Sequence, residues 1–218
     1  MESLQPRAVA DYLTELAVRE HLDPVLDEME ARADDRGFPI VGRSAGGFLD
    51  LAARMVGARR VMELGSGFGY SAWFFAGVVG PDGEVVCTDL DPDNAARAEA
   101  FLRRSDRWAP VRWVTGDALG ALEEETGEFD VIFCDVDKQH YPDAWRLAAE
   151  RLRVGGLWIC DNVLWDGRVA GMDLPPHEGR DAVTDHIREM TRLVVADERY
   201  RSSIVPLRDG LQVAVRIA

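Results

Sequence analysis

Two short apolar runs constrain the fold of this chain more than any other feature. The first is Phe129-Asp-Val-Ile-Phe-Cys-Asp135-Val-Asp137-Lys138, and the second is Leu157-Trp-Ile-Cys-Asp161-Asn162. Each stops abruptly in oxygen-bearing side chains, the pattern of a buried parallel strand. Between them, Gln139 to Arg153 carries Trp145, Leu147, Ala148 and Leu152 at helical spacing. Strand, helix, strand is a right-handed crossover, so both polar ends fall on the carboxyl edge of one sheet. Open α/β sheets bind their ligands along that edge. If the strands are neighbours, roughly 4.8 Å apart, Asp135, Asp161 and Asn162 converge on one small hard cation. Two carboxylates and an amide oxygen suit Mg²⁺, which keeps its other positions for water or substrate oxygens. Read alone, Asp161-Asn162 would equally well start a turn.

Lysine usage adds to this. Of the 25 basic residues, 24 are Arg and one is Lys, namely Lys138. Arg keeps its proton in a protein, whereas a Lys near a metal or in a dry pocket can lose it. Lys138 is therefore a candidate general base, and chance placement is the competing view.

A chain of 218 residues is expected to form one domain, 1–218, with a helical appendage over 1–58 and a core over 59–218. The formal net charge of −14 argues against nucleic acid or an anionic membrane as partner. No run reaches the ~18 apolar residues of a membrane span. The stretch Met1 to Pro6 lacks the basic and apolar regions of a signal peptide. Cys87, Cys134 and Cys160 stand singly on predicted strands, so reduced buried thiols and a cytoplasmic location are expected. Alternation along the strands points Cys134 and Cys160 away from the proposed ion.

In chain order, residues 7 to 34 read as two helices broken near His21-Leu-Asp-Pro24. Gly37 to Gly42 reads as a loop, and Ser44 as the N-cap of the next helix. Arg60 to Leu64 is the first strand, running into Glu63-Leu-Gly65-Ser-Gly67-Phe-Gly69-Tyr-Ser71 and a helix. Such a Gly-rich turn lets a ligand approach the backbone near a helix N-terminus. The dinucleotide fingerprint wants Gly where Tyr70 stands, and Glu63 suits a cationic or amine-bearing ligand. The second strand, Glu84 to Thr88, ends at Asp89, placed to read a ribose diol, with Asp91 as the fallback. Gly116-Asp117-Ala118 follows the third strand, Val111 to Thr115, where a base edge would lie. Val163 to Arg180 reads as a long loop, a lid or substrate wall, and Asp181 to Val195 as a helix. Asp209-Gly210 between two alternating runs signals a closing hairpin. The expected fold is α/β: a Rossmann-like, seven-stranded, mostly parallel sheet with one antiparallel strand from the C-terminal hairpin. Helices cover both faces, and extra helices precede it.

These motifs resemble those of the cation-dependent O-methyltransferases, the group of caffeoyl-CoA and catechol O-methyltransferases. Glu63-Leu-Gly-Ser-Gly-Phe-Gly-Tyr-Ser is similar to the family's cofactor loop, Asp135-Val-Asp-Lys-Gln-His-Tyr to its DxDKxxY block, and Asp161-Asn162-Val-Leu-Trp to its DNxLW block. The last two blocks at this spacing are specific; the Gly loop is not. The resemblance runs from the Gly42 region to the final hairpin.

The resemblance implies S-adenosylmethionine as cofactor. Glu63, Gly65 and Ser71 would meet its methionine end, Asp89 its ribose, and Asp117 and Ala118 its adenine side. Val41 and Asp135 would also touch it, and Asp137 would meet its amino group. Asp135, Asp161 and Asn162 would hold Mg²⁺ or another divalent cation. Lys138, with Asp135 beside it, would sit at the reacting hydroxyl, and Trp165 and Asp166 on the substrate side. The family's homodimers would suit the N-terminal helices. Plant caffeoyl-CoA enzymes carry Asn at the position of Asp166, and a basic N-terminal segment where this chain is acidic. That points to a small catechol-type phenol rather than a caffeoyl-CoA-type ester. A phenol chelated through both oxygens has a lowered pKa, and Lys138 is placed to take its proton. Tyr141 is a candidate aromatic wall, and His140 a rival base. Other classes are a nicotinamide-dependent oxidoreductase, which Tyr70 disfavours, and a non-catalytic cofactor-binding module, which the complete ligand set disfavours.

Overall fold

The computed structural model describes residues 6–172 and 174–218. The expectation for Met1 to Gln5 therefore lies outside the described residues, as does residue 173 of the expected long loop. The helices α1 (Arg7–Glu20) and α2 (Pro24–Arg36) break at Leu22-Asp23, as predicted. Asp23 caps α2 by accepting from the Val25 N–H at 2.9 Å, and Pro24 suits the first turn, which needs no N–H donor. The next helix, α3 (Gly42–Met55), starts earlier than expected. Val41 is its N-cap, no side chain caps it, and Ser44 lies inside it with its hydroxyl 3.4 Å from that of Thr14.

The core then alternates: β1 (Arg60–Leu64), α4 (Tyr70–Val79), β2 (Glu84–Asp89), α5 (Pro92–Leu102), β3 (Val111–Thr115), α6 (Ala118–Glu124), β4 (Phe129–Cys134), α7 (Tyr141–Ala148), β5 (Leu152–Cys160), α8 (Glu178–Ala196), β6 (Tyr200–Val205) and β7 (Leu211–Arg216). One seven-stranded sheet results, in the order β3-β2-β1-β4-β5-β7-β6, and β7 alone runs antiparallel to its neighbours. The two apolar runs are adjacent, with Cys134 opposite Cys160. One face of the sheet packs against α2, α3 and α4 through Leu26, Met29, Leu49, Phe74 and Phe75. The other packs against α6, α7 and α8 through Trp145, Trp158, Ile187 and Met190, and both Cys134 and Cys160 lie in that cluster. Within 1–58, α1 buries no residue, whereas α2 and α3 share the core of the sheet.

The helix expected over Gln139 to Arg153 is shorter. A 3₁₀ turn covers Lys138–His140, α7 stops at Ala148, and β5 begins at Leu152 rather than Leu157. The Phe129 N–H donates to the Arg151 carbonyl at 2.7 Å, so pairing with β4 takes this backbone from the helix. The expected loop Val163 to Arg180 contains a 3₁₀ segment, Trp165–Ala170, and loses its end to α8, which His177 caps. Among the described residues no helix is long and apolar enough to cross a membrane.

Candidate active site

Four strands deliver acidic side chains to the carboxyl edge of the sheet: β1 brings Glu63, β2 Asp89, β4 Asp135 and β5 Asp161. The turn after β1 is held by Thr88. Its backbone carbonyl accepts from the Ser66 N–H at 2.7 Å, and its hydroxyl accepts from the Gly65 N–H at 3.1 Å. Gly65 sits at φ 85°, and a Cβ there would lie 2.7 Å from the Asp135 carbonyl oxygen. Only glycine lets β1 and β4 approach so closely at this point. Gly69, at φ 87°, then starts α4.

Glu63 is fully buried behind this turn. Its Oε2 receives the Cys87 thiol at 3.4 Å, while Oε1 has no hydrogen-bond partner. Burial pushes its carboxyl up to about 7, against the pull of the nearby Ser71, Ser66 and Cys87. A half-satisfied buried carboxylate suits a cationic group brought by a ligand.

On β4 and β5, the Asp135 N–H donates to Leu64 and the Asp161 N–H to Cys134, so both acids are carried on paired backbone. Lys138 Nζ donates to Asp135 Oδ1 at 2.9 Å. Burial acts to lower the Lys138 pKa, but Asp135 and Asp161 outweigh it and the net direction is up. Both neighbouring carboxylates thus favour the charged form of Lys138 in the ligand-free site. Burial and the nearby Asp135 raise Asp161 strongly. The Asn162 N–H donates to Asp161 Oδ1 at 2.7 Å. Among the described residues no three His, Cys, Asp or Glu side chains gather at metal-binding spacing. The set on this edge is two carboxylates and an amide, all hard oxygen donors, and Asp135 acts on Asp161 more strongly than the opposing Lys138 does. It fits a divalent ion of the Mg²⁺ type.

These residues face a cleft of about 350 Å³, within the range of small-molecule sites. Of the residues expected from sequence, Val41, Gly65, Ser71, Asp89, Asp135 and Asp137 line it, as do Lys138, Asp161, Asn162 and Trp165. The others fall elsewhere. Glu63 lies behind the Gly turn. Asp117 caps α6, accepting from the Gly120 N–H at 2.7 Å, and neither it nor Ala118 lines the cleft. Asp166 is paired with Arg180. Tyr141 is buried and donates to the Asp161 carbonyl at 2.8 Å, so it supports a proposed ligand instead of forming a wall. His140 is exposed, beside Gln139.

Phe38, Ile40, Phe68, Tyr70 and Arg180 also line the cleft and were not expected there. Phe38 and Ile40 are apolar residues in a Gly- and Pro-containing loop, a signal that something covers them. Arg180 gave no local signal. Its guanidinium lies 4.8 Å from the centre of the Trp165 ring, and its carbonyl accepts from the Trp165 Nε1–H at 2.9 Å.

A family model described as O-methyltransferase matches residues 18–217. Caffeoyl-CoA O-methyltransferase 2 of Populus trichocarpa is 27% identical, over 98% of this chain and 90% of its own. The O-methyltransferase TomG of Streptomyces achromogenes, solved in complex with SAM, superposes with a TM-score of 0.84 at 25% identity and full coverage of both chains. An O-methyltransferase from Bacillus cereus in complex with SAH gives 0.82 at 28% identity, covering 96% of this chain and 97% of that one.

Proposed function

The chain belongs to the O-methyltransferase family, and from that premise we propose that it moves the methyl group of S-adenosylmethionine onto a hydroxyl of a catechol-type phenol, with a divalent cation. The observation that carries this reading is the meeting of Asp135, Lys138, Asp161 and Asn162 in the same cleft as the Gly65 turn and Asp89. When bound, S-adenosylmethionine supplies an electrophilic methyl on sulfonium, and the cation polarises the acceptor oxygens.

The chain's own residues do the rest. Glu63 and Asp137 offer negative charge for the amine and sulfonium end, and Asp89 offers acceptors for a ribose diol. Asp89 already takes the Asp91 N–H and the Asn94 amide on Oδ1, at 2.8 and 3.0 Å, which holds the carboxylate in one orientation. Asp135, Asp161 and Asn162 would hold the cation, and Tyr141 steadies Asp161 from below. Lys138 either takes the phenol proton as an amine or stabilises the phenolate as an ammonium. Trp165 and Phe38 restrict water in the cleft. Positioning and charge stabilisation carry most of such a reaction.

A catechol, its mono-hydroxy analogue and caffeoyl-CoA, each assayed with S-adenosylmethionine with and without EDTA, test the reading. Turnover of the catechol should be at least ~10²-fold faster than that of the mono-phenol, the range of a lost catalytic group, and EDTA should abolish it. Full activity in EDTA would sink the cation. Faster turnover of caffeoyl-CoA would favour the second reading, a coenzyme A ester, which the likeness to the Populus enzyme supports.

A further inference from the structure

The turn of the C-terminal hairpin, residues 206–210, lies outside the cleft, yet it bonds to both of its walls. We propose that Arg208 and Asp209 are positioning residues that tie the wall carrying Ile40 and Val41 to the wall carrying Asn162 and Trp165. The inference rests on the proposed function, in which the first wall borders the cofactor and the second the acceptor.

The tie to the first wall is Arg208, whose Nη1 donates to the Ile40 carbonyl at 2.9 Å. Gly42, at φ 70°, makes room for it, since a Cβ there would overlap the guanidinium. Arg208 itself holds φ 53°, a left-handed conformation that a side-chain-bearing residue keeps only where its surroundings over-determine it. The tie to the second wall is Asp209, only 2% exposed. Its Oδ1 accepts from the Asp166 N–H at 2.6 Å, and its carbonyl from the Leu164 N–H at 2.8 Å. The Gly210 carbonyl accepts from Val163 at 3.1 Å. Asp209 Oδ2 is buried with no hydrogen-bond partner. A carboxylate kept at that cost is there for what Oδ1 holds. What it holds is unusual backbone: Asn162, Trp165 and Asp166 all have positive φ, at 57°, 51° and 53°. Three such residues so close together need an outside restraint.

Methyl transfer requires donor and acceptor atoms ~3–3.5 Å apart and in line, and a ~1 Å error can cost ~10²-fold. The two walls carry those partners, and one rigid turn fixes their separation.

The test compares Asp209→Ala, Asp209→Asn, Arg208→Met and Arg208→Lys with wild type. Amide hydrogen exchange in the ligand-free protein is read at 38–42 and 162–166. Calorimetry gives the Kd of S-adenosylhomocysteine, and steady-state kinetics use catechol with Mg²⁺. Asp209→Ala should speed exchange at 162–166 at least tenfold and lower kcat at least tenfold, with the Kd changed less than twofold. Asp209→Asn, which keeps an oxygen acceptor, should recover most of both. Arg208→Met should speed exchange at 38–42 and weaken S-adenosylhomocysteine at least fivefold, with Arg208→Lys in between. The proposal is overturned if variants that stay folded leave exchange and kinetics unchanged, or if Asp209→Asn is as damaged as Asp209→Ala. A wild-type protein that binds no S-adenosylhomocysteine would instead overturn the functional reading, and the exchange arms would still decide the tie.

Discussion

The two edges of the sheet treat buried charge in opposite ways. At the amino edge Glu84, Glu125 and Asp130 all have partners. Arg60 donates to Glu84 and Glu125, and Arg112 donates to the same two, at 2.6 to 2.8 Å. Asp130 accepts the Arg59 and Arg60 N–H groups on Oδ2 and Arg153 on Oδ1. Burial pushes Glu84 and Asp130 up, but their arginine and N–H partners outweigh it, and both end below the usual carboxylate range. At the carboxyl edge burial wins. Glu63 rises to about 7, Asp209 to about 6, and Asp161 rises as well. The same sheet, in the same chain, satisfies its acids at one end and leaves them short of positive charge at the other. Structure alone would favour the first arrangement at both ends, and the second is the one that the proposed cofactor and cation would complete.

The sharpest test of this contrast is Lys138, whose Nζ donates to the Asp135 carboxylate at 2.9 Å. Lys138→Met should lower the single-turnover rate by ~10²–10⁴-fold. Lys138→Arg should fall comparably if the amine acts as base, because Arg keeps its proton. An Arg variant of near wild-type rate with an unchanged pH profile would leave only the charge role.

Glu63→Gln should separate binding from stability. The folded pKa of Glu63, about 7, lies above its unfolded value. Folding is therefore penalised progressively as pH rises from about 4.3 through 7, and fully above that. The amide removes this penalty. At pH 8 the variant should be more stable than wild type by about 3 kcal/mol, and near pH 4.5 by almost nothing. The cofactor Kd should meanwhile rise ~10-fold or more, the worth of a hydrogen bond to a charged group. Denaturant melts at both pH values check the first part and calorimetry the second; a variant less stable at pH 8 would refute it.

Asp130→Ala, at the amino edge, should do the reverse. It should cost about 1–3 kcal/mol by leaving Arg153 and two N–H groups without their acceptor, while cofactor affinity stays unchanged. Because the folded pKa of Asp130 is depressed, its contribution is present above the unfolded pKa. It is lost as pH falls through the folded one, so the difference from wild type should shrink in acid. Melts of both proteins between pH 7 and pH 3 measure this, and a gap that widens toward pH 3 would contradict the assignment.

Much of this molecule was legible in the residue order. The five parallel strands, the closing hairpin and the acids at the carboxyl ends follow from short apolar runs with sharp polar ends. A strand's period and its terminus are local properties. The meeting of Asp135, Asp161 and Asn162 was legible too, since a crossover between parallel strands leaves both ends on one edge. What tertiary structure alone decided is who faces whom. Helix α7 stops at Ala148 because β4 claims the backbone after it. Asp166 is occupied by Arg180, and Arg208 reaches back to the Ile40 carbonyl, contacts with no local signature. Glu63 is an acid in any reading of the chain, but only closure of the core leaves one of its oxygens buried without a partner. Local pattern selects the elements; desolvation and pairing depend on every group packed around a site, and distant parts of the chain supply those.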